Sequence, residues 1–303
     1  MNKKIGQQWS SEKKYKYVIY ETKGNIARIT LNKPEKLNAF GWLGRKEDAQ
    51  DFWAALDKAT DDDNLKVIII RGSGRAFGVG NDLNVVGFVY GMGTGRPGEK
   101  RVGQMKRLKV DRAAFCDDEL KLLLCPKITI AQIDGYCLSG GLSKALSCDL
   151  AIASENATLG FPEQRLSTAG AGVPSMIKLI LNVGMARALD LLLTGRFIDG
   201  KEAERIGMIT KSVPQNKLEK VVDKMAQAMC MHSRDAIAIG KAHRHLIYDT
   251  LGITTGFAQS YLIHTLGTNI HFESGETNYF KDRRDKGVKA AFQERDIRFK
   301  NLV

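Results

Sequence analysis

The chain has 303 residues, a formal net charge of +12, and 43% hydrophobic and 26% charged residues. These values are those of an ordinary globular protein and exclude collagen-like and intrinsically disordered chains. No apolar stretch reaches the roughly 18–20 residues needed to span a bilayer, and the N-terminus has no secretory signal, so we expect a cytoplasmic protein without a membrane segment.

Cysteine and histidine usage argues against a metal site. The five cysteines are scattered, odd in number and without a CxxC pair, which favours a reducing compartment over a disulfide framework or a zinc site. All five histidines lie after residue 231, and His243 and His245 lie on different faces of a predicted helix. We therefore predict no metal. The excess positive charge predicts an acidic partner, either a phosphorylated cofactor or nucleic acid.

The first half of the chain alternates strands and helices with short links, which is typical of βαβ units and a parallel sheet. The predicted elements are two strands within 17–31, a helix at 45–60, a strand at 67–70, a strand at 127–133, a helix at 142–147 and a strand at 149–153.

From about residue 173 the pattern is helical. We therefore predict an N-terminal extension (1–16), an α/β core (17–210) and a helical C-terminal region (211–303). Within the core, residues 84–112 form a glycine-rich and then basic insert, predicted as a loop followed by an exposed helix.

Two short motifs are rejected. GTGRPG at 93–98 matches a dinucleotide-binding pattern, but it contains Pro97 and lacks the acidic residue that should end a second strand. Ser139 in YCLSGG lacks the glycine of a nucleophile elbow two residues earlier, and no histidine occurs in the first 231 residues to serve it. The sequence therefore does not predict a serine hydrolase.

Two glycine turns are more informative, at 72–83 and 134–143. Each follows a predicted strand, so each brings main chain to the carboxyl edge of a parallel sheet, where such folds bind ligands. Glycine permits close approach, and a helix start after the turn adds a positive dipole end.

Four segments resemble successive signatures of the crotonase (enoyl-CoA hydratase/isomerase) superfamily. They are LNKPEKLNAF (31–40), GSGRAFGVGNDL (72–83), IDGYCLSGGLSKALSCDLAIASENATLGFPE (133–163) and LLTGRFIDGKEAERIGMITKSVP (192–214). The likeness runs from about residue 17 to the C-terminus. It implies an α/β fold, a crotonase-like spiral of ββα units with a helical C-terminal trimerisation region, and assembly as a homotrimer or dimer of trimers.

The resemblance also implies a reaction site. The thioester oxygen would lie between the main-chain N–H groups of Asn81 and Gly140, where an enolate develops charge and one such donor contributes roughly 3 kcal/mol. Glu163 matches the family's acid/base carboxylate. Ser143 is a departure, because ordinary enoyl-CoA hydratases carry a second glutamate there. Serine at this point resembles the hydroxycinnamoyl-CoA hydratase-lyases, although Ile263 stands where those enzymes have a tyrosine.

No tightly bound cofactor is implied, and coenzyme A enters as part of the thioester. Phe292 and Arg295 match residues that reach a neighbouring subunit's cofactor. The residues that the resemblance places against coenzyme A within the same chain are Lys36, Leu37, Arg75, Asp82, Leu83 and Asn84.

We therefore predict an acyl-CoA lyase or hydratase that acts on an α,β-unsaturated thioester with one glutamate. A Δ3,Δ2-enoyl-CoA isomerase is the alternative reaction, since those enzymes also work with one glutamate. An RNA-binding protein with this fold is the alternative from another class, suggested by the charge and by the basic stretch 100–112.

Overall fold

The computed structural model describes residues 8–12, 14–40, 47–84, 103–166, 174–267 and 270–300. Its strands are Ser10–Glu12 (β1), Val18–Lys23 (β2), Ile26–Leu31 (β3), Val67–Gly72 (β4), Ala76–Gly78 (β5), Ile128–Ile133 (β6), Tyr136–Leu138 (β7), Leu150–Ser154 (β8), Thr158–Gly160 (β9), Ile198–Asp199 (β10) and Lys211–Val213 (β11). Its α-helices are Glu47–Asp61 (α1), Gln104–Arg112 (α2), Asp118–Leu123 (α3), Gly140–Ser147 (α4), Met176–Val183 (α5), Met185–Thr194 (α6), Gly200–Arg205 (α7), Leu218–Cys230 (α8), Arg234–Thr250 (α9), Ile253–Gly267 (α10), Tyr279–Lys286 (α11) and Val288–Phe299 (α12).

The strands form two sheets. The larger one has the order β1-β2-β3-β4-β6-β8-β11, and every pair from β3 onward is parallel. The smaller one has the order β10-β9-β7-β5. In each of the pairs β4–β5, β6–β7 and β8–β9, the first strand enters the larger sheet and the second enters the smaller sheet. This repeat, with helices between the pairs, is the ββα spiral predicted from the sequence.

The larger sheet is covered on both faces, as a parallel sheet requires. Alternate residues of β4 show this directly, since Ile68 and Ile70 belong to the main core and Val67 and Ile69 to a second core under α8. All four side chains are at most 1% exposed. This explains why the sequence shows one continuous apolar run and no alternation.

Five short strands differ from the predicted pattern. β5, β7 and β9 lie in segments predicted as turns or left unassigned, and β10 and β11 lie in the region predicted to be all helical. They have two or three residues each. Runs this short carry no detectable period, so their identity depends on the neighbouring strands that supply hydrogen bonds.

Two strand pairings span the predicted domain boundaries, which stay predictions. β11 pairs in parallel with β8, and Leu218 and Val222 of α8 pack on the same sheet, so the core continues beyond residue 210. At the other end, β1 pairs antiparallel with β2, so the predicted N-terminal extension contributes a strand to the core sheet.

Only part of the basic insert is described. Residues 85–102, which include the 93–98 motif, lie outside the described residues. Most of the described part of the insert belongs to α2. Lys106, Lys109 and Arg112 are exposed as predicted, but Arg107 is buried at 1% exposure, because α2 packs against α10. The predicted exposed helix is therefore exposed on one face only. Within the described parts of the chain, no helix has the length and apolar character to cross a membrane.

Candidate active site

The two glycine turns meet at the edge of the smaller sheet. β5 and β7 are parallel neighbours, with Ala76 opposite Tyr136 and Gly78 opposite Cys137. Beyond them, a Cβ atom on Gly80 would lie only 2.7 Å from the Gly140 nitrogen, and Gly80 has a φ of +82°. Only glycine therefore fits at position 80, for two independent reasons. The two turns are therefore in close contact at Gly80 and Gly140.

The Asn81 amide is positioned by pairing of its segment with Phe40, and the Gly140 amide by the start of α4. Phe40 donates from its nitrogen to the Gly80 oxygen and accepts from the Asp82 nitrogen, at 2.8 and 2.7 Å. Because neighbouring N–H groups of an extended segment point to opposite sides, the Asn81 N–H faces away from Phe40. Gly140 is the first residue of α4, where N–H groups have no partner within the helix. Neither amide has an acceptor among the described residues.

Glu163 lies beside these turns. It belongs to the short 3₁₀ helix Pro162–Leu166, and its carboxylate Oε1 accepts a hydrogen bond of 2.6 Å from the Ser139 hydroxyl. Ser139 immediately precedes Gly140, and its nitrogen donates to the Gly160 oxygen at 2.9 Å. A hydrogen bond thus links the Glu163 carboxylate to the turn that carries the Gly140 amide.

The surroundings of Glu163 change its proton affinity. Burial raises the pKa of the carboxyl above its ordinary value, while hydrogen bonds from the Ser139 hydroxyl and from its own backbone N–H act in the opposite direction. A carboxyl group with a raised pKa is suited to both accepting and donating protons near neutral pH.

Ser143 lies one turn into α4. It is completely buried, and its Oγ has no hydrogen-bond partner within the described portion of the chain. It therefore does not bond to Glu163. Its nitrogen donates to the Ser139 oxygen at 2.9 Å, which fixes its place in the helix. The role predicted for Ser143 stays a prediction.

Several residues predicted to contact coenzyme A lie together. The Lys36 Nζ donates to Asp82 Oδ2 at 2.8 Å, and Asn84 donates from its main chain and side chain to Asp82 Oδ1. Burial opposes ionisation of Asp82, but these hydrogen bonds outweigh it and lower the pKa of the carboxyl. Leu37 lies in the turn that ends the 3₁₀ helix Pro34–Lys36, with a φ of +53°, and Arg75 is exposed in the first glycine turn.

Asn38 is a site-forming residue that the sequence did not identify. Its side-chain Oδ1 accepts from the Lys33 nitrogen at 2.8 Å, and its Nδ2 donates to the Ser73 and Ala76 oxygens at 3.0 and 2.7 Å. These bonds join the loop that carries Lys36 to the first glycine turn. The only available signal was its place in LNKPEKLNAF.

Phe292 and Arg295 lie on the C-terminal helix α12. Phe292 packs beside Tyr279 in a small cluster that also contains Leu83 and Leu166. The Arg295 guanidinium lies 4.6 Å from the Phe292 ring centroid. Burial, assisted by the nearby charge of Arg295, lowers the pKa of Arg165. The C-terminal helix α12 thus reaches the segment that carries Glu163 in the same chain. The predicted contact with a neighbouring subunit's cofactor stays a prediction.

Within the described residues, no group of three or more histidine, cysteine, aspartate or glutamate side chains is arranged to hold a metal ion.

Comparison with known proteins identifies the family. The sequence profile of the enoyl-CoA hydratase/isomerase family matches residues 21–289. A probable mitochondrial enoyl-CoA hydratase from Dictyostelium discoideum is 30% identical over 267 residues, which cover 87% of each chain. Mevalonyl-coenzyme A hydratase sidH from Aspergillus fumigatus is 31% identical over 222 residues, covering 71% of this chain and 73% of that protein.

A solved structure supports the same assignment. The enoyl-CoA hydratase/isomerase from Xanthobacter autotrophicus Py2 superimposes with a TM-score of 0.77 at 30% identity, covering 94% of this chain and 98% of that one. This chain, with its paired glycine turns and its half-buried glutamate, belongs to the enoyl-CoA hydratase/isomerase family of the crotonase superfamily.

Proposed function

We propose that this protein is a hydratase or lyase that acts on an α,β-unsaturated acyl-CoA, with Glu163 as its one acid/base carboxylate. The observation that carries the proposal is the 2.6 Å hydrogen bond from Ser139 to Glu163, since Ser139 directly precedes the Gly140 amide. It brings an ionisable group and a main-chain donor to one turn. The hydratase names of the two relatives favour this reaction class.

The Asn81 and Gly140 amides would stabilise the reacting thioester. When water adds to C3 of the acyl chain, negative charge moves to the thioester oxygen, and two rigid N–H donors bind that charge better than they bind the neutral carbonyl. The first-turn position of Gly140 adds the positive end of the α4 dipole.

Glu163 would transfer the protons. As a carboxylate it removes a proton from the attacking water, and as the resulting acid it returns a proton to C2 of the enolate. The burial that raises the pKa of Glu163 makes both forms accessible within one cycle. In this proposal Ser143 orients water or substrate through its hydroxyl, which cannot itself exchange protons as a carboxylate does.

The coenzyme A portion would bind across the Lys36 and Asp82 side of the site. Lys36 and Arg75 provide positive charge for phosphate, and Leu37, Leu83 and Asn84 provide main-chain and apolar contacts. The ion pair between Lys36 and Asp82 fixes the lysine close to the Asn81 amide.

A double-bond isomerase is the second candidate. It is favoured by Ser143, because Glu163 then lacks the second carboxylate with which to hold water. In that reaction Glu163 would remove a proton from C2 and return it to C4. No water would be added, so the product has the mass of the substrate.

A panel of acyl-CoA thioesters tests the proposal. Each is incubated with wild-type protein, Glu163→Gln and the surface control Glu155→Gln, and products are identified by mass spectrometry. We expect a hydrated or cleaved product, and a loss in kcat of at least about 100-fold in Glu163→Gln alone. An isomerised product would favour the second candidate, and unchanged turnover in Glu163→Gln would remove Glu163 from the mechanism.

A further inference from the structure

Ser139 combines an unusual backbone conformation with a contact to the proposed base. Its φ of +54° and ψ of −130° lie where glycine is normally found, at the turn between β7 and α4. Its hydroxyl nevertheless points at Glu163 Oε1, at 2.6 Å. A serine therefore occupies a position where glycine would fit the backbone better.

The opposite turn is shaped to accept this side chain. A Cβ atom on Gly80 would lie 2.8 Å from Ser139 Oγ and 3.0 Å from Ser139 Cβ. The missing side chain at position 80 thus leaves the space in which the Ser139 hydroxyl reaches Glu163. The two turns fit each other around this one hydrogen bond.

We propose that Ser139 is a positioning residue that fixes the Glu163 carboxylate next to the Gly140 amide and keeps it ready to accept a proton. The inference rests on the proposed function for the identity of Glu163 as the base. Ser139 acts through Glu163, and no bond to substrate is assigned to it.

Two physical effects follow from the hydrogen bond. A short bond to a carboxylate oxygen restricts rotation of the carboxyl group, so that its other oxygen keeps a constant direction. The same bond favours the ionised form, and it opposes the effect of burial on the Glu163 pKa. Without the hydroxyl, a larger fraction of Glu163 is protonated at a given acidic pH and cannot act as a base.

The test compares Ser139→Gly and Ser139→Ala with wild-type protein. The glycine variant removes the hydroxyl and also relaxes the backbone, so a loss of function cannot come from misfolding caused by φ strain. Ser147→Ala is the matched control, because Ser147 is a buried serine of α4 whose hydroxyl donates to the Ser143 oxygen.

We expect both Ser139 variants to lower kcat/KM on the order of tenfold below neutral pH. We also expect the acid limb of their pH profile to move to higher pH, while Ser147→Ala keeps the wild-type profile. Ser139→Cys, whose thiol is a weaker donor, should lie between the wild type and the glycine variant. An acid limb that does not move in Ser139→Gly would overturn the proposal, and so would an acyl ester on Ser139 detected by mass spectrometry.

A second measurement separates this inference from the proposed function. The carboxyl band of Glu163 is identified by infrared difference spectroscopy against Glu163→Gln and titrated in wild-type protein and Ser139→Gly. A shift of that titration to higher pH supports the Ser139 assignment even if no thioester on the panel reacts. Identical titrations would refute it even in an active enzyme.

Discussion

Ser139 and Glu163 show how single residues set the properties of the site. A non-glycine residue in such a backbone conformation costs on the order of 1–3 kcal/mol, and this strain persists only where the surrounding structure over-determines it. Here the turn is held by the Ser139 nitrogen bonded to Gly160 and by α4, which begins at the next residue. The strained backbone at Ser139 lowers stability, and it places the serine hydroxyl against the Glu163 carboxylate.

From the raised pKa of Glu163 we predict how the stability of Glu163→Gln compares with that of the wild type. Folding raises this pKa, so the native state binds protons more tightly than the unfolded chain, and the free energy of unfolding contributed by Glu163 falls as pH rises through its native pKa. Glutamine cannot ionise but can still accept from Ser139. We therefore expect Glu163→Gln to be at least as stable as wild type at pH 7.

Urea unfolding at pH 5 to 8 measures this effect. The advantage of Glu163→Gln should shrink as the pH approaches the ordinary pKa of glutamate, while the surface variant Glu155→Gln should follow the wild type throughout. A Glu163→Gln protein that is clearly less stable than wild type at pH 7 would show that the ionised carboxylate stabilises the fold.

At the scale of elements, the site depends on how loops are tied to the sheets. Strands β5 and β7 have three residues each, so they cannot by themselves hold the two turns at a fixed separation. Asn38 supplies part of the missing constraint. Its amide bonds to the main chain on both sides of the first turn, and its own φ of +54° is tolerated by asparagine more readily than by most residues.

Asn38→Gly tests this role. Glycine adopts the same φ but leaves the Ser73 and Ala76 oxygens and the Lys33 nitrogen without their partners, which should cost about 1–3 kcal/mol in the free energy of unfolding. The more exposed Asn25 makes one comparable bond, to the Asn64 oxygen, and Asn25→Gly is the control with a smaller expected loss. Equal losses in urea unfolding would contradict a special role for Asn38.

At the scale of the whole molecule, the C-terminal helices leave large apolar side chains exposed. On α9 and α10 these include Ile239, Leu246, Leu262 and Leu266, which are 71%, 65%, 44% and 67% exposed in the single chain. Several such residues on neighbouring helices are typical of a surface covered by another subunit. This surface is a candidate for a subunit contact, and the trimer or dimer of trimers that the resemblance implies stays a prediction.

Charged substitutions on these helices test the assembly. We expect Leu246→Glu combined with Leu266→Glu to reduce the mass measured by sedimentation velocity toward that of one chain. The control is Met231→Glu, which changes an even more exposed methionine directly after α8. If wild-type protein already sediments as a monomer, the assignment of the C-terminal region to subunit contact is wrong.

The amino-acid sequence alone was enough to predict the family, the strand–helix alternation and the residues of the two glycine turns. It could do so because a long apolar run such as that of β4, and a backbone conformation that favours glycine such as that at Gly80, leave a local signal in the sequence. It also singled out Glu163 through its motif. These features are properties of the residues and their immediate neighbours in the chain.

Features that depend on partners distant in sequence became visible only in the folded chain. The contact of Ser139 with Glu163 joins residues 24 positions apart, and the bonds of Asn38 join segments 35 to 38 positions apart. The short strands β5, β7, β9, β10 and β11 exist because neighbouring strands supply their hydrogen bonds, and Arg107 is buried because α10 covers it. No local pattern records such contacts, since each depends on which surface another part of the chain brings to it.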